Sequence, residues 1–131
     1  MRENEATSPR RVLLVADDRR FRALAGTLLT RRGYTVAVCA RGEDLAQAAV
    51  REAADVVVID ASASLTAAAR EAARLGALSR PVGIIAVSAD SHCGLAALPV
   101  LPKWSPFEAL FAAIERACAD ITPDEVTGVA L

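Results

Sequence analysis

Five side chains in this sequence close short apolar runs: Asp17 and Asp18 after Val12–Ala16, Asp60 after Val56–Ile59, Ser88 after Val82–Val87, and Lys103 after Val100–Pro102. Continuous apolar runs without alternation read as strands buried on both faces, as at the centre of a parallel sheet. Parallel strands bring their C-terminal ends to one edge, where open α/β sheets place their ligand sites. Two or three carboxylates, a hydroxyl and an ammonium would therefore converge. Clustered carboxylates repel one another unless a cation sits among them, and an oxygen-only donor set suits Mg²⁺. The ammonium and the hydroxyl could pair with phosphoryl oxygens. The chemistry implied is transfer of a phosphoryl group to a carboxylate.

The elements that must position these groups follow from periodicity. Phe21, Leu24, Ala25, Leu28 and Leu29 share one helical face, and Arg31-Arg32-Gly33 closes that helix. Tyr34 to Cys39 is a second strand. Arg41-Gly42-Glu43-Asp44 opens a helix running to about Ala53, with acids in its first turn. Leu65, Ala68, Ala69, Ala72 and Leu75 mark a third helix, ended by Gly76. The segment from Asp90 to Leu98 holds Gly94 and precedes Pro99, so it fits at most two helical turns. Ser105-Pro106-Phe107-Glu108 reads as a capping box with Pro at the first helical position. Phe107, Leu110, Phe111, Ile114 and Cys118 line the last helix. Strands alternating with helices require right-handed crossovers and a sheet covered on both faces. The expected fold is doubly wound α/β with a five-stranded parallel sheet and a shortened or irregular fourth helix. It spans residues 11–120, between a disordered lead-in (1–10) and a tail or linker start (121–131).

Composition narrows the function. A chain of 131 residues, 53% hydrophobic and 24% charged, is one domain with a real core. Fifteen basic and sixteen acidic residues give a net charge of -1, which lacks the basic footprint of a nucleic-acid binder. Three cysteines, Cys39, Cys93 and Cys118, suit neither a disulfide framework nor a zinc site and read as buried thiols. No secretory signal is visible, and the longest uncharged run, Ser91 to Pro102, is too short to span a bilayer. The expectation is a cytoplasmic domain that touches neither membrane nor nucleic acid.

Val12-Leu13-Leu14-Val15-Ala16-Asp17-Asp18, Leu28–Tyr34, Gly42–Leu45, Val58-Ile59-Asp60, Val87-Ser88-Ala89 and Leu101-Pro102-Lys103 together resemble the receiver domain of bacterial response regulators. The resemblance runs in order from about Arg11 to Ala119. It implies strand order 2-1-3-4-5 and a phosphoryl group accepted on Asp60 from a histidine kinase. It further implies Mg²⁺ held by Asp17, Asp60 and the backbone carbonyl of Ser62, with Ser88 and Lys103 on the phosphoryl oxygens. Asp18 is a further candidate ligand that could equally cap a helix. No enzymatic turnover is implied beyond self-phosphorylation from a phosphodonor and autodephosphorylation.

Departures from the family pattern shape the functional reading. Ala16 stands where one of two acids is usual. Ala61-Ser62-Ala63-Ser64-Leu65 lacks the usual Met-Pro and Gly, and Trp104 replaces the Pro that follows the lysine. A non-proline cis bond would cost roughly 3 kcal/mol, so a trans Lys103–Trp104 bond is expected. Val100 replaces the aromatic switch residue, and the stretch from Ser88 to Lys103 is short. The favoured reading is an atypical receiver or pseudo-receiver, with a degenerate metal site and an altered switch, acting mainly through protein–protein contacts, with Trp104 and Val100 as interaction residues. Its partners would be a histidine kinase or another signalling protein, with a homodimer a further option. The alternative is a fully phosphorylatable, Mg²⁺-dependent receiver. A flavodoxin-like small-ligand binder lacks a Gly-rich phosphate loop after the first strand. His92 reads as a solvated loop residue. Arg19-Arg20 and Arg31-Arg32 read as solvated faces of the first helix, which is also a docking surface in the family.

Overall fold

A computed structural model describes residues 10–39, 43–62, 64–78, 81–89, 100–104 and 106–120. The elements run β1 (Arg11–Val15), α1 (Arg19–Arg31), β2 (Thr35–Val38), α2 (Leu45–Arg51), β3 (Val56–Asp60), α3 (Leu65–Gly76), β4 (Gly83–Ser88), β5 (Val100–Pro102) and α4 (Phe107–Asp120). All strand pairs are parallel, and the sheet order is β2-β1-β3-β4-β5. The expected lead-in, the shortened helix between β4 and β5, His92, the Ser105 cap and the C-terminal tail lie outside the described residues.

Alternation along the strands splits the core into two layers. Val12, Leu14, Val56, Val58, Ile85 and Val87 point to one face, where Phe21, Ala25 and Leu29 of α1 meet Leu110, Phe111, Ile114 and Cys118 of α4. Leu13, Val57, Ile59 and Ala86 point to the other, against Leu45, Ala48 and Ala49 of α2 and Ala68 and Leu75 of α3. Every residue of β3 except its last is buried, which is why its sequence shows no alternation. Leu24 departs from its expected place. It is 42% exposed, because the buried stripe of α1 is narrower than its apolar pattern.

Capping sets the helix bounds. The Asp18 side chain accepts hydrogen bonds from the Arg20 and Phe21 backbone amides and starts α1. Asp44 does the same for α2, so it precedes the first turn rather than lying in it, and that turn holds no acid. At the end of α1, Gly33 has φ +99°, and the Gly33 and Tyr34 amides return to the carbonyls of Thr30 and Leu29. This is a Schellman closure. The sequence expectation carried α2 to about Ala53, but the helix ends at Arg51. Ala53 instead takes the left-handed conformation (φ 53°), with its amide and that of Ala54 bonded to Val50 and Ala49. An identical closure is thus built on alanine.

Candidate functional site

The strand order reverses between β1 and β3. From β1 the chain moves outward to β2, then returns past β1 to β3 and onward, and ligand crevices form at such reversals. Val15 pairs with Ile59, so the next residues, Ala16 and Asp60, stand side by side at the carboxyl edge. Ser88 ends β4 one residue beyond the partner of Asp60, and pairs with Pro102 of β5. Lys103 follows directly. The topology therefore delivers Asp60, Asp18 and Lys103 to one crevice.

Lys103 is the centre of that crevice. Its ammonium lies 2.7 Å from Asp60 Oδ2 and 2.9 Å from Asp18 Oδ2. The Lys103 side chain is 6% exposed and that of Asp60 8%, so this is an ion pair largely removed from water. Burial pulls the Lys103 ammonium toward deprotonation, but the bonds to Asp18 and Asp60 outweigh it and hold its pKa above the ordinary value. Asp18 is held below the usual carboxylate range, chiefly by its hydrogen bond from Lys103 and then by the Phe21 amide. The same ammonium lies 5.5 Å from the centre of the Phe21 ring and 5.4 Å from that of Trp104, within cation–π range. Trp104 stands edge-on to the buried Phe21 at 5.7 Å and is itself 50% exposed. The Lys103–Trp104 bond is trans, as expected.

Both oxygens of Asp60 are engaged. Oδ1 accepts from the Ser62 amide at 3.0 Å. Ser62 Oγ in turn accepts from the Ala89 amide at 3.1 Å, tying the β3–α3 loop to the end of β4. The Lys103 amide donates to the Ser88 carbonyl at 2.9 Å, which closes a ring of contacts around Asp60. Ser88 is buried at the rim. Asp17 is exposed at the end of β1. Val100 is half-buried and packs in the α2–α3 layer.

Sequence reasoning passed over Arg22. Its Nη1 donates to the Ala16 carbonyl at 2.8 Å and to the Asp17 carbonyl at 3.3 Å. The guanidinium thus spans the carboxyl end of β1. A usable signal was present: arginines in the first turn of a helix oppose its dipole, so one of them has another reason to be there. Arg19, Arg20, Arg31 and Arg32 are exposed, as read, although Arg32 lies 4.1 Å over the Phe111 ring and pairs with Glu108.

A divalent cation here would rely on Asp17, Asp60 and the Ser62 carbonyl, since the neighbouring positions add nothing to that donor set. Ala16 brings a methyl group where a second acid would stand. Asp18 spends one oxygen on the α1 amides and the other on Lys103. Among the described residues no three acidic, histidine or cysteine side chains gather into a metal-binding group. The gap between Asp18 and Asp60 is bridged by an ammonium.

No family model and no curated protein matches this sequence. Solved structures do. A CheY-like response regulator receiver domain from Methylobacillus flagellatus is 22% identical, covering 84% of this chain and 99% of its own, with a TM-score of 0.71. A response regulator receiver protein from Sinorhizobium medicae is 19% identical over 85% and 95%, with a TM-score of 0.63. A Thermotoga maritima response regulator in complex with Mg²⁺-BeF is 20% identical over 82% and 98%, with a TM-score of 0.61. At these identities the likeness establishes the receiver fold. Among the described residues no helix is long and apolar enough to cross a membrane.

Proposed function

We propose that this receiver-fold chain is an atypical receiver domain of two-component signalling, with Asp60 as its phosphoryl-accepting residue and a protein partner as its output. The observation that carries the reading is the ammonium of Lys103 on Asp60 Oδ2 at 2.7 Å, at the topological reversal of the sheet. Phosphoryl transfer asks little covalent chemistry of a protein beyond positioning and charge stabilisation. One Asp60 oxygen forms the bond to phosphorus. The bond from phosphorus to the donor's leaving atom breaks, and that atom keeps the electron pair. Lys103 then follows the new negative charge onto a phosphoryl oxygen, and Ser88, buried at the end of β4, is the residue assigned to another.

The output would lie beside the site. Lys103 leaves Asp18 and the Phe21–Trp104 pair when it follows the phosphoryl group, which changes the surroundings of the exposed Trp104. An exposed Trp is a frequent interface anchor. The donor would be a histidine kinase or another phosphoprotein of the signalling chain. A second reading, a fully Mg²⁺-dependent receiver, draws support from the Thermotoga neighbour solved with Mg²⁺-BeF.

Intact mass after incubation with a small-molecule phosphodonor tests the proposal. The expected result is a single phosphoryl adduct in the wild type and none in Asp60→Asn. Adduct-free, folded wild-type protein, beside a receiver that labels in parallel, would contradict it.

A further inference from the structure

Resting on Asp60 as the phosphoryl acceptor, we infer that Asp18 is a built-in counter-charge that opposes a phosphoryl group on Asp60 by competing for the Lys103 ammonium. Two carboxylates share one cation in the crevice, which lies 2.7 Å from Asp60 Oδ2 and 2.9 Å from Asp18 Oδ2. Asp18 is held there by the start of α1. Its Oδ1 accepts from the Arg20 amide at 2.9 Å and the Phe21 amide at 3.2 Å, which leaves Oδ2 aimed at Lys103. The carboxylate cannot follow a moving ammonium without giving up that cap. Lys103 is anchored from its own side, since its amide donates to the Ser88 carbonyl at 2.9 Å.

Charge decides the direction of the effect. A phosphoryl group on Asp60 puts close to two negative charges where the resting carboxylate carries one. Lys103 is drawn toward them, and Asp18 Oδ2 loses its cation while it stays charged and in place. The Lys103 side chain is 6% exposed and that of Asp18 32%, so water screens this competition only in part. The Asp18 charge therefore stabilises the resting crevice and opposes the phosphorylated one. Serine or asparagine at this position would still cap α1 but carry no charge. Either would leave the ammonium wholly to Asp60 and the group bound there. Asp18 makes no bond to phosphorus in this scheme. It sets how readily Asp60 holds the phosphoryl group.

Beryllofluoride binding at a fixed, saturating Mg²⁺ concentration tests the inference. BeF₃⁻ bonds to a carboxylate oxygen and mimics its phosphoryl adduct, and the sole Trp, Trp104, reports on binding by fluorescence. Asp18→Ser and Asp18→Asn should bind about tenfold more tightly than wild type, as removal of one nearby like charge allows. Asp18→Glu keeps the charge but caps poorly, and should stay near the wild-type affinity. A role as helix cap alone gives another ranking, with Asp18→Ser and Asp18→Asn unchanged and Asp18→Glu weakest. Cooperative urea unfolding establishes that each variant is folded. Folded Asp18→Ser and Asp18→Asn that bind no more tightly than wild type would overturn the inference and leave Asp60 as acceptor. Weaker binding in both would overturn it too, and would make Asp18 a contributor to the bound state. Folded wild type and variants that bind no BeF₃⁻ at all would overturn the acceptor reading and this inference with it.

Discussion

Lys103 holds two carboxylates at once, and that arrangement should shape the stability of the protein at both ends of the pH scale. Asp18 is held below its ordinary value of 3.8, so its contribution is complete above that value and fades as pH falls through the folded pKa. Lys103 is held above its ordinary value of 10.5, so its contribution is complete below that value and fades as pH rises through the folded pKa. Stability measured by urea unfolding across pH should therefore show a plateau with an acid and an alkaline shoulder. Asp18→Asn keeps an acceptor for the α1 amides and removes the charge. It should flatten the acid shoulder, and an unchanged profile would contradict the role given to Asp18. Lys103→Met leaves Asp60 buried without its cation, and should lower stability by about 1–3 kcal/mol and abolish phosphodonor labelling. At this scale the sequence already placed Asp60, Ser88 and Lys103 at strand ends, because buried runs and their terminal residues are local facts. Arg22 was not legible in that way. Its partners are backbone carbonyls, and no residue type announces a carbonyl.

Two turns and one close approach account for much of how the elements are set. The α4 helix crosses β4 where Gly83 has no side chain, and a Cβ built there would lie 2.9 Å from that of Ala117 and 3.3 Å from Val56 Cγ2. Gly83→Ala should therefore force α4 off the sheet and lower stability by about 1–3 kcal/mol in chemical denaturation. Ala53 pays the opposite penalty, since it holds a left-handed turn that Gly33 holds without strain. Ala53→Gly should raise stability by about 0.5–1 kcal/mol, and a loss would show that the turn is held by other means. Asp18 was open to a capping reading and Asp44 was read inside the turn it caps, while the pattern of apolar and turn residues located every described helix. It misplaced the end of α2, because Ala53 carries no glycine signal. It also buried Leu24, because the width of a buried stripe depends on the neighbours packed against it.

At the scale of the molecule, the sheet order, the two apolar layers and the crevice at the β1–β3 reversal form one device for placing charge. Strand alternation with helices made the doubly wound parallel sheet legible, and the motif order implied its permutation. The charge state of the site was less legible. Carboxylates near strand ends suggest a cation, yet whether an ammonium or a metal fills the gap is decided by side-chain reach across elements far apart in sequence. The crevice connects outward through Lys103 to Phe21 and Trp104, so the state of Asp60 should be readable at the surface. The indole N–H resonance of Trp104 is the direct measurement, since it is the sole Trp in the chain. On addition of a phosphodonor, that resonance should move in the wild type, in step with the mass adduct, and stay fixed in Asp60→Asn. A resonance that stays fixed in fully labelled protein, or moves equally in Asp60→Asn, would contradict a switch centred on Asp60 and Lys103.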